Sequence, residues 1–248
     1  MGGYITVAEA IRILDADNSW RQFQVDYPAA VYGRMAIETF RIPNNTRAER
    51  IQLEGMERDT GSGVFRRLVE TVQGDDGPEK KLWMSDTRAE IAEHYPFFRQ
   101  LHRSEAQKDK RILVNGLGLG LVVHGALQFS GIGHIDVVEK DPDVIGLVGP
   151  LIPDDRIAIH QDDAYTIKWP RGTRWDIAWH DVWPEISDEN LPGMNQLMAR
   201  YKHRVGVQQC WQRKGCLAMA RVYRQMNNGT LSRERALAIF LGKAPWLP

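Results

Sequence analysis

The sequence predicts an α/β protein with an open, mostly parallel sheet, a small β-containing N-terminal unit and a helical C-terminal extension. Two apolar runs predict the sheet, one at residues 112–114 before three closely spaced glycines and one formed by Ile135, Val137 and Val138 before Glu139. The segment between the glycines and the second run has the apolar content of a helix. Strands that alternate with helices are typical of parallel sheets, because parallel neighbours need a crossover connection.

The loop after the first run has glycine at every second position, with Gly116, Gly118 and Gly120. Glycine lets the backbone turn sharply and lets a ligand approach where a Cβ atom would clash. At the tip of the second run, the carboxylate of Glu139 can accept hydrogen bonds from both hydroxyls of a ribose. Together these features favour a nucleoside-containing ligand.

The glycine spacing differs from that of dinucleotide-binding loops. A G-x-G-x-x-G pattern would need glycine at 121, or glycine or alanine at 123, where the sequence has Leu121 and Val123. The observed G-x-G-x-G spacing resembles motif I of class I S-adenosylmethionine (SAM)-dependent methyltransferases, which have a Rossmann-like core. The resemblance implies SAM as the cofactor, with the glycines at its methionine part and Glu139 at its ribose. It also includes the flanking Asn115 and Lys140 among the cofactor-binding residues.

The resemblance continues downstream and covers residues 110–185, about a third of the chain. RIAIHQDDA resembles the third strand of the family, after which Asp163 would contact the adenine amino group beside Ala164. WDIAWHDVWP is similar to the fourth strand and its active-site loop, which places Asp181 where open α/β sheets bind ligands. EKDPDVI, QDDA and WDIAWHD are also similar to pieces of spermidine-synthase-type proteins.

Asp181 is the candidate catalytic residue. Methyl transfer from a sulfonium is an in-line displacement, so the enzyme mainly positions its substrates and removes a proton where the acceptor needs it. A carboxylate or a histidine at this strand end could take that proton. For Asp181, a structural role as the cap of the following turn is equally open. For His180, packing against the neighbouring strand is favoured over a catalytic role.

The sequence departs from the family in its substrate half. Asn115 stands where motif I often has an acidic residue, and no N-P-P-Y or D-P-P-Y tetrapeptide follows the fourth strand. The sequence has no Pro-Cys pair, which cytosine C5 methylation would use, and it does not cleanly match the second aspartate of the spermidine-synthase pattern. After Pro192 the sequence predicts helices where the family normally adds three strands.

These observations leave three functions open. The first is a SAM-dependent methyltransferase of unknown acceptor. The second is an aminopropyltransferase of the spermidine-synthase type, which would use decarboxylated SAM and a polyamine. The third is a catalytically degenerate nucleotide-binding module whose basic C-terminal segment binds nucleic acid or a protein partner, with the salt dependence that such binding shows.

The net charge is zero, but the charges are unevenly distributed. Residues 131–190 carry thirteen acidic and five basic side chains, whereas residues 200–248 carry ten basic side chains and one acidic side chain. The basic segment could bind nucleic acid, but the scarcity of stacking aromatics favours a segment that folds back on the acidic core. A stripe of Met and Leu from residue 191 favours core packing over the alternative, a homodimer interface.

Composition indicates a soluble cytoplasmic protein. No apolar run reaches the length of a membrane span, and the first residues lack the basic region that precedes a signal-type core. Cys210 and Cys216 fit a reducing compartment. Their spacing is not one that zinc sites use, so we predict no metal.

The chain divides into three predicted parts: residues 1–105, 106–190 and 191–248. The first part begins with a helix capped by Thr6 and ends with a helix capped by Asp86. Between them, alternation predicts strands at residues 35–42, 49–55 and 64–72. The second part is the SAM-binding core. The third is a basic helical extension whose last helix begins at Ser232 and stops at Gly242.

Overall fold

The computed structural model describes residues 19–43, 50–53, 56–59, 62–104 and 106–240. The helix predicted after Thr6 and the stop predicted at Gly242 lie outside these residues. The described part of the chain forms eleven strands and six α-helices, and the strands are grouped into three sheets.

The N-terminal unit is built on an antiparallel sheet of four strands in the order β1-β2-β5-β6, beside a separate ribbon of β3 and β4. The strands are β1 (Ala30–Tyr32), β2 (Met35–Ile42), β3 (Arg50–Leu53), β4 (Met56–Asp59), β5 (Gly63–Gly74) and β6 (Gly77–Ser85). The structure confirms the three strands predicted here. It adds β6, which alternation could not predict because residues 78–82 are exposed and mostly polar.

Helix α1 (Arg88–Arg103) connects the N-terminal sheet to the second sheet. The helix begins after Thr87, and the predicted cap at Asp86 is wrong. The carboxylate of Asp86 instead accepts a hydrogen bond of 2.6 Å from the backbone N–H of Arg66 on β5. This bond ties the start of α1 to the antiparallel sheet.

The second sheet is parallel, with its five strands in the order β11-β10-β7-β8-β9. Its elements are β7 (Lys110–Asn115), α2 (Leu121–Leu127), β8 (Ile132–Glu139), α3 (Pro142–Val148), β9 (Ile157–Gln161), β10 (Trp175–His180), α4 (Leu191–Tyr201) and β11 (Val205–Cys210). The chain runs outward from β7 to β9 and returns to the other side of β7 at β10. The sheet therefore has a topological switch point between β7 and β10, which is where open α/β sheets bind ligands. This is the Rossmann-like fold that the sequence predicts.

Both faces of the parallel sheet are buried. Ile112 and Val114 of β7 join a core that also includes residues of the N-terminal sheet. Leu113 points to the opposite face and packs in a cluster with Leu197 and Tyr201 of α4. Burial on both faces explains why residues 112–114 of β7 form a continuous apolar run.

The C-terminal segment is helical over α4, α5 (Arg213–Asn227) and α6 (Arg233–Phe240). Ser232 caps α6 as predicted, because its hydroxyl accepts a hydrogen bond of 3.2 Å from the backbone N–H of Arg235. β11 is an addition: its sequence VGVQQC has too little apolar character to predict a strand, yet it pairs with β10. No helix among the described residues has the length and apolar character needed to cross a bilayer.

Candidate active site

A cavity of about 530 Å³ lies at the carboxyl ends of the parallel strands, at the switch point between β7 and β10. Its volume falls within the range of about 300–1,000 Å³ that is typical of small-molecule sites. The cavity brings together seven of the nine predicted site residues: Gly116, Gly118, Glu139, Lys140, Asp163, Ala164 and Asp181. Asn115 and Gly120 are not among the residues that line it.

The glycine loop approaches its neighbours more closely than any other residue type would allow. A Cβ atom on Gly116, whose φ is +97°, would overlap the carbonyl oxygen of Asp181. A Cβ atom on Gly118, whose φ is +50°, would overlap the Sδ atom of Met84 on β6. L residues rarely adopt such φ values, so conformation favours glycine at both positions, and at Gly116 the backbone of Asp181 also leaves no space for a Cβ atom.

Gly120 has a packing role in this structure. It has a φ of +75° at the start of α2, and a Cβ atom there would lie 3.1 Å from Val148 Cγ1 and 3.2 Å from the hydroxyl of Tyr27. Neither Val148 nor Tyr27 lines the cavity. The third glycine therefore lets α2 begin close to α3.

Glu139 ties the glycine loop to the next helix. One carboxylate oxygen accepts a hydrogen bond from the backbone N–H of Leu117 in the loop, and the other accepts one from Asp141 just before α3, both at 2.9 Å. The residue is 8% exposed. Because a carboxylate oxygen can accept two hydrogen bonds, both oxygens keep the capacity to bind a further donor.

Asn115 belongs to a buried hydrogen-bond network across the ends of three adjacent strands. Its amide nitrogen lies 2.7 Å from Nδ1 of His180, and Nε2 of His180 lies 3.1 Å from the side-chain oxygen of Gln208. Burial lowers the pKa of His180 to about 4, so the ring is neutral near pH 7. The Gln208 amide donates to the carbonyl of Met198, which leaves its oxygen to accept from His180 Nε2–H. His180 is thus part of the sheet, as the packing interpretation has it.

Asp181 follows His180 and lines the cavity beside Gly116. Burial raises the pKa of its carboxyl to about 8, and the nearby carboxylates of Glu93, Glu90 and Glu139 add to that rise. A carboxyl with a pKa near neutrality can both take and release a proton, which is what general acid–base chemistry requires.

Asp163, after β9, forms the far side of the cavity from Asp181 along the strand order. Its side chain accepts a hydrogen bond of 2.7 Å from the backbone N–H of Tyr165, which fixes the turn after the strand. Ala164 is buried beside it, whereas Lys140, after β8, is exposed at the rim.

Several cavity residues come from parts of the chain that sequence reasoning did not connect to the site. The turn before β2 contributes Arg34, and strand β6 contributes Lys81, Trp83 and Met84. Helix α1 contributes Glu90 and His94, and Trp211 lines the cavity from the position after β11. Met84 contacts the loop directly, because its sulfur accepts a hydrogen bond of 3.0 Å from the backbone N–H of Leu119. Nothing in the sequence of β6 indicates that contact.

Two buried polar residues of α1 could have been recognised from their positions in the sequence. Glu93 and His94 are buried and lie one helical turn before Phe97 and Phe98, on the same buried face. Charged or titratable residues on an apolar helix face need a partner or a function.

Arg34 joins the N-terminal sheet to helix α3. It forms ion pairs with Glu70 on β5 and with Asp141 and Asp143 at the start of α3. The preceding Gly33 has a φ of +55°, and a Cβ atom there would overlap the carboxylate of Asp143. The turn before β2 therefore sits directly against α3.

The cavity is acidic. Six of the side chains that line it are carboxylic acids, Glu90, Glu139, Asp141, Asp162, Asp163 and Asp181, and three are cationic, Arg34, Lys81 and Lys140. Since Arg34 is already paired with three acids, the electrostatic character favours a ligand with positive charge over a phosphate or pyrophosphate.

The two cysteines, Cys210 and Cys216, are buried free thiols. Burial raises the pKa of Cys210 to about 12, which leaves its thiol protonated and unreactive near neutral pH. Among the described residues, no group of three or more His, Cys, Asp or Glu side chains is arranged to hold a metal ion.

No protein-family model matches the sequence, and no curated protein matches it. Solved structures that resemble the fold include a SAM-bound amino pentose methyltransferase from Micromonospora echinaspora, with 15% identity over 48% of this chain and 50% of that one, and a TM-score of 0.37. A proposed RNA methyltransferase from Pyrococcus horikoshii has 14% identity over 56% of this chain and 65% of that one, with a TM-score of 0.39. A SAM-dependent methyltransferase from Mesorhizobium loti has 18% identity over 42% and 48%, with a TM-score of 0.31.

The match spans less than two thirds of each of these three proteins. At such TM-scores and identities, the likeness carries no argument about the substrate or the activity of this chain. The spermidine-synthase-like features receive no support from these proteins.

Proposed function

We propose that the protein is a SAM-dependent methyltransferase that binds SAM in the cavity at the switch point. The observation that carries the proposal is the position of Glu139. Its carboxylate ends the strand beside the glycine loop, is hydrogen-bonded to that loop, and faces the same cavity as Asp163 and Asp181. This is where a ribose would lie if the glycines pass the methionine part of the cofactor.

The residues present fit SAM better than a dinucleotide. SAM carries a sulfonium and an ammonium against one carboxylate, so its net positive charge suits an acidic cavity. A pyrophosphate would face a lining with six carboxylic acids against three cationic side chains. The loop also lacks the third glycine of the G-x-G-x-x-G pattern, which dinucleotide-binding proteins use for close packing of the helix.

Five of the predicted cavity residues then have definite roles. Glu139 accepts hydrogen bonds from the ribose hydroxyls, Gly116 and Gly118 leave room for the methionine part, and Asp163 accepts from the adenine amino group. When bound, SAM supplies an electrophilic methyl group on a positively charged sulfur. Asp181, beside Gly116, orients the acceptor or takes its proton.

Binding of SAM is expected to depend on the carboxylate of Glu139. In calorimetric titrations, SAM and its product S-adenosylhomocysteine should bind with dissociation constants on the order of micromolar. Glu139→Gln should weaken both by about tenfold or more, since it removes a charged acceptor of the ribose hydroxyls. Glu79→Gln, an exposed position on β6, is the matched control and should bind as the wild type does.

The same titrations with NAD and with decarboxylated SAM separate the alternatives. Tighter binding of decarboxylated SAM would favour the aminopropyltransferase, and absence of binding by all four ligands would refute the cofactor assignment. Nucleic-acid binding by residues 200–248 and a homodimer through the Met and Leu stripe stay predictions.

A further inference from the structure

His94 is a buried polar side chain without a hydrogen-bond partner. The residue is 1% exposed, it lines the cavity, and neither ring nitrogen has a hydrogen-bond partner in the protein. A buried polar atom without a hydrogen-bond partner lowers the stability of the folded protein. Such a group at a cavity wall indicates that a ligand completes its hydrogen bonding.

The carboxyl group of Asp181 lies close to His94. Nδ1 of His94 and Oδ2 of Asp181 are 3.9 Å apart, which is too long for a hydrogen bond between them. One donor nitrogen can nevertheless lie about 2.9 Å from both atoms, because that separation is shorter than twice a hydrogen-bond length. The two side chains are therefore spaced to share one donor group.

The surroundings of this pair are negative. Glu90 and Glu93 stand on the same helix as His94, and both lie near enough to Asp181 to raise its pKa. Their hydrogen bonds are made elsewhere: Glu90 accepts from the Ser85 hydroxyl at 2.6 Å, and Glu93 accepts from the indole N–H of Trp211 at 3.0 Å. Burial lowers the pKa of His94 to about 3, so its ring stays neutral and adds no positive charge.

We propose that this end of the cavity binds the methyl acceptor as the ammonium ion of a primary or secondary amine, between the Asp181 carboxylate and the His94 imidazole. The inference rests on the proposed methyltransferase function and narrows its acceptor. An ammonium ion supplies at least two N–H donors, one for each of these acceptors, and its charge offsets the surrounding carboxylates. A carboxylate or phosphate acceptor would be repelled, and a hydroxyl offers only one donor.

Asp181 has a further task in this arrangement. An ammonium nitrogen has no free electron pair, so it must lose a proton before it can act as a nucleophile. The N–H bond breaks, the proton passes to the Asp181 carboxylate, and the electron pair stays on nitrogen. His94 is a positioning residue that holds the nitrogen against Asp181. Tyr165, Trp183 and Trp211 line the cavity and can pack against the organic part of the amine.

The test uses three probes of one shape and different charge. Benzylamine, benzyl alcohol and benzoate are titrated into the full chain at pH 7 by calorimetry, with and without saturating S-adenosylhomocysteine. We expect benzylamine to bind at least tenfold more tightly than benzyl alcohol, and benzoate not to bind. Equal affinity for the alcohol, preference for benzoate, or no binding by any probe would overturn the inference.

Two variants separate positioning from a general structural role. His94→Phe keeps an aromatic ring but removes both nitrogens, and it should reduce the benzylamine-to-alcohol preference at least fivefold. His94→Gln, which can still accept a hydrogen bond, should restore most of that preference. An unchanged preference in His94→Phe would contradict the role of His94. Binding of S-adenosylhomocysteine, measured in the same samples, reports separately on folding and on the proposed function.

Discussion

Replacing Gly116 with alanine is expected to destabilise the folded protein by about 3 kcal/mol or more and to abolish SAM binding. The added Cβ atom would overlap the carbonyl oxygen of Asp181 in a backbone conformation, φ +97°, that alanine adopts poorly. The loop and the end of β10 would have to separate. Because the loop also hydrogen-bonds to Glu139, that movement would disrupt the predicted ribose site.

Gly172 provides a matched control for the conformational part of this effect. Its φ is +87°, similar to that of Gly116, but no atom lies within 4 Å of the position a Cβ atom would take. Gly172→Ala should therefore lower the free energy of unfolding by about 1 kcal/mol and leave SAM binding intact. Urea denaturation of both variants measures the difference. Equal losses in the two would show that the contact between the loop and Asp181 is unimportant.

Asp181→Asn is expected to change how stability depends on pH. The pKa of Asp181 is raised from an ordinary 3.8 to about 8 in the folded protein, mainly by burial and then by Glu93, Glu90 and Glu139. Between these pH values the unfolded chain has lost the proton that the folded protein retains. The contribution of Asp181 to stability therefore falls as pH rises through this interval. The neighbouring His94 stays neutral throughout most of it.

Asparagine at position 181 removes this contribution. From pH 5 to pH 8, the wild type should lose on the order of 2 kcal/mol more stability than Asp181→Asn, a discounted figure because the Asp181 side chain is 20% exposed. The measurement is urea denaturation at both pH values, with Asp155→Asn, an exposed position before β9, as the control. Parallel pH profiles for wild type and Asp181→Asn would show that Asp181 titrates as an ordinary exposed carboxyl does.

The parallel sheet and its glycine loop could be predicted because the patterns that specify them are local in the sequence. Strands buried on both faces are rich in apolar residues, as residues 112–114 and the run of Ile135, Val137 and Val138 are, and a sharp turn beside a ligand requires glycine. Gly116 and Gly118 follow from the need for a sharp turn, and Glu139 from its place at the tip of the second strand, whereas Asp163 was predicted from the family resemblance. β11 could not be predicted, because it lies at an edge of the sheet and its half-buried residues Gln208 and Gln209 interrupt any apolar run.

The part of the cavity that is formed by β6, α1 and Trp211 could not be predicted, because these segments are distant from one another in the sequence. Met84 reaches the glycine loop from the N-terminal sheet, and Trp211 donates to Glu93 across 118 residues of chain. No sequence pattern encodes contacts over such separations. Glu93 and His94 could have been singled out from the sequence, since two titratable residues on the apolar face of a helix are unusual. The hydrogen bond between Asn115, which the motif resemblance assigns to the cofactor, and His180 in the next strand could not be predicted either.

The structure of the protein with S-adenosylhomocysteine bound would test the central claim most directly. We expect the ribose hydroxyls within hydrogen-bond distance of Glu139, the adenine amino group at Asp163, and the sulfur on the side of the cavity that carries Asp181 and His94. A ligand bound elsewhere, or one whose ribose lies away from Glu139, would contradict it.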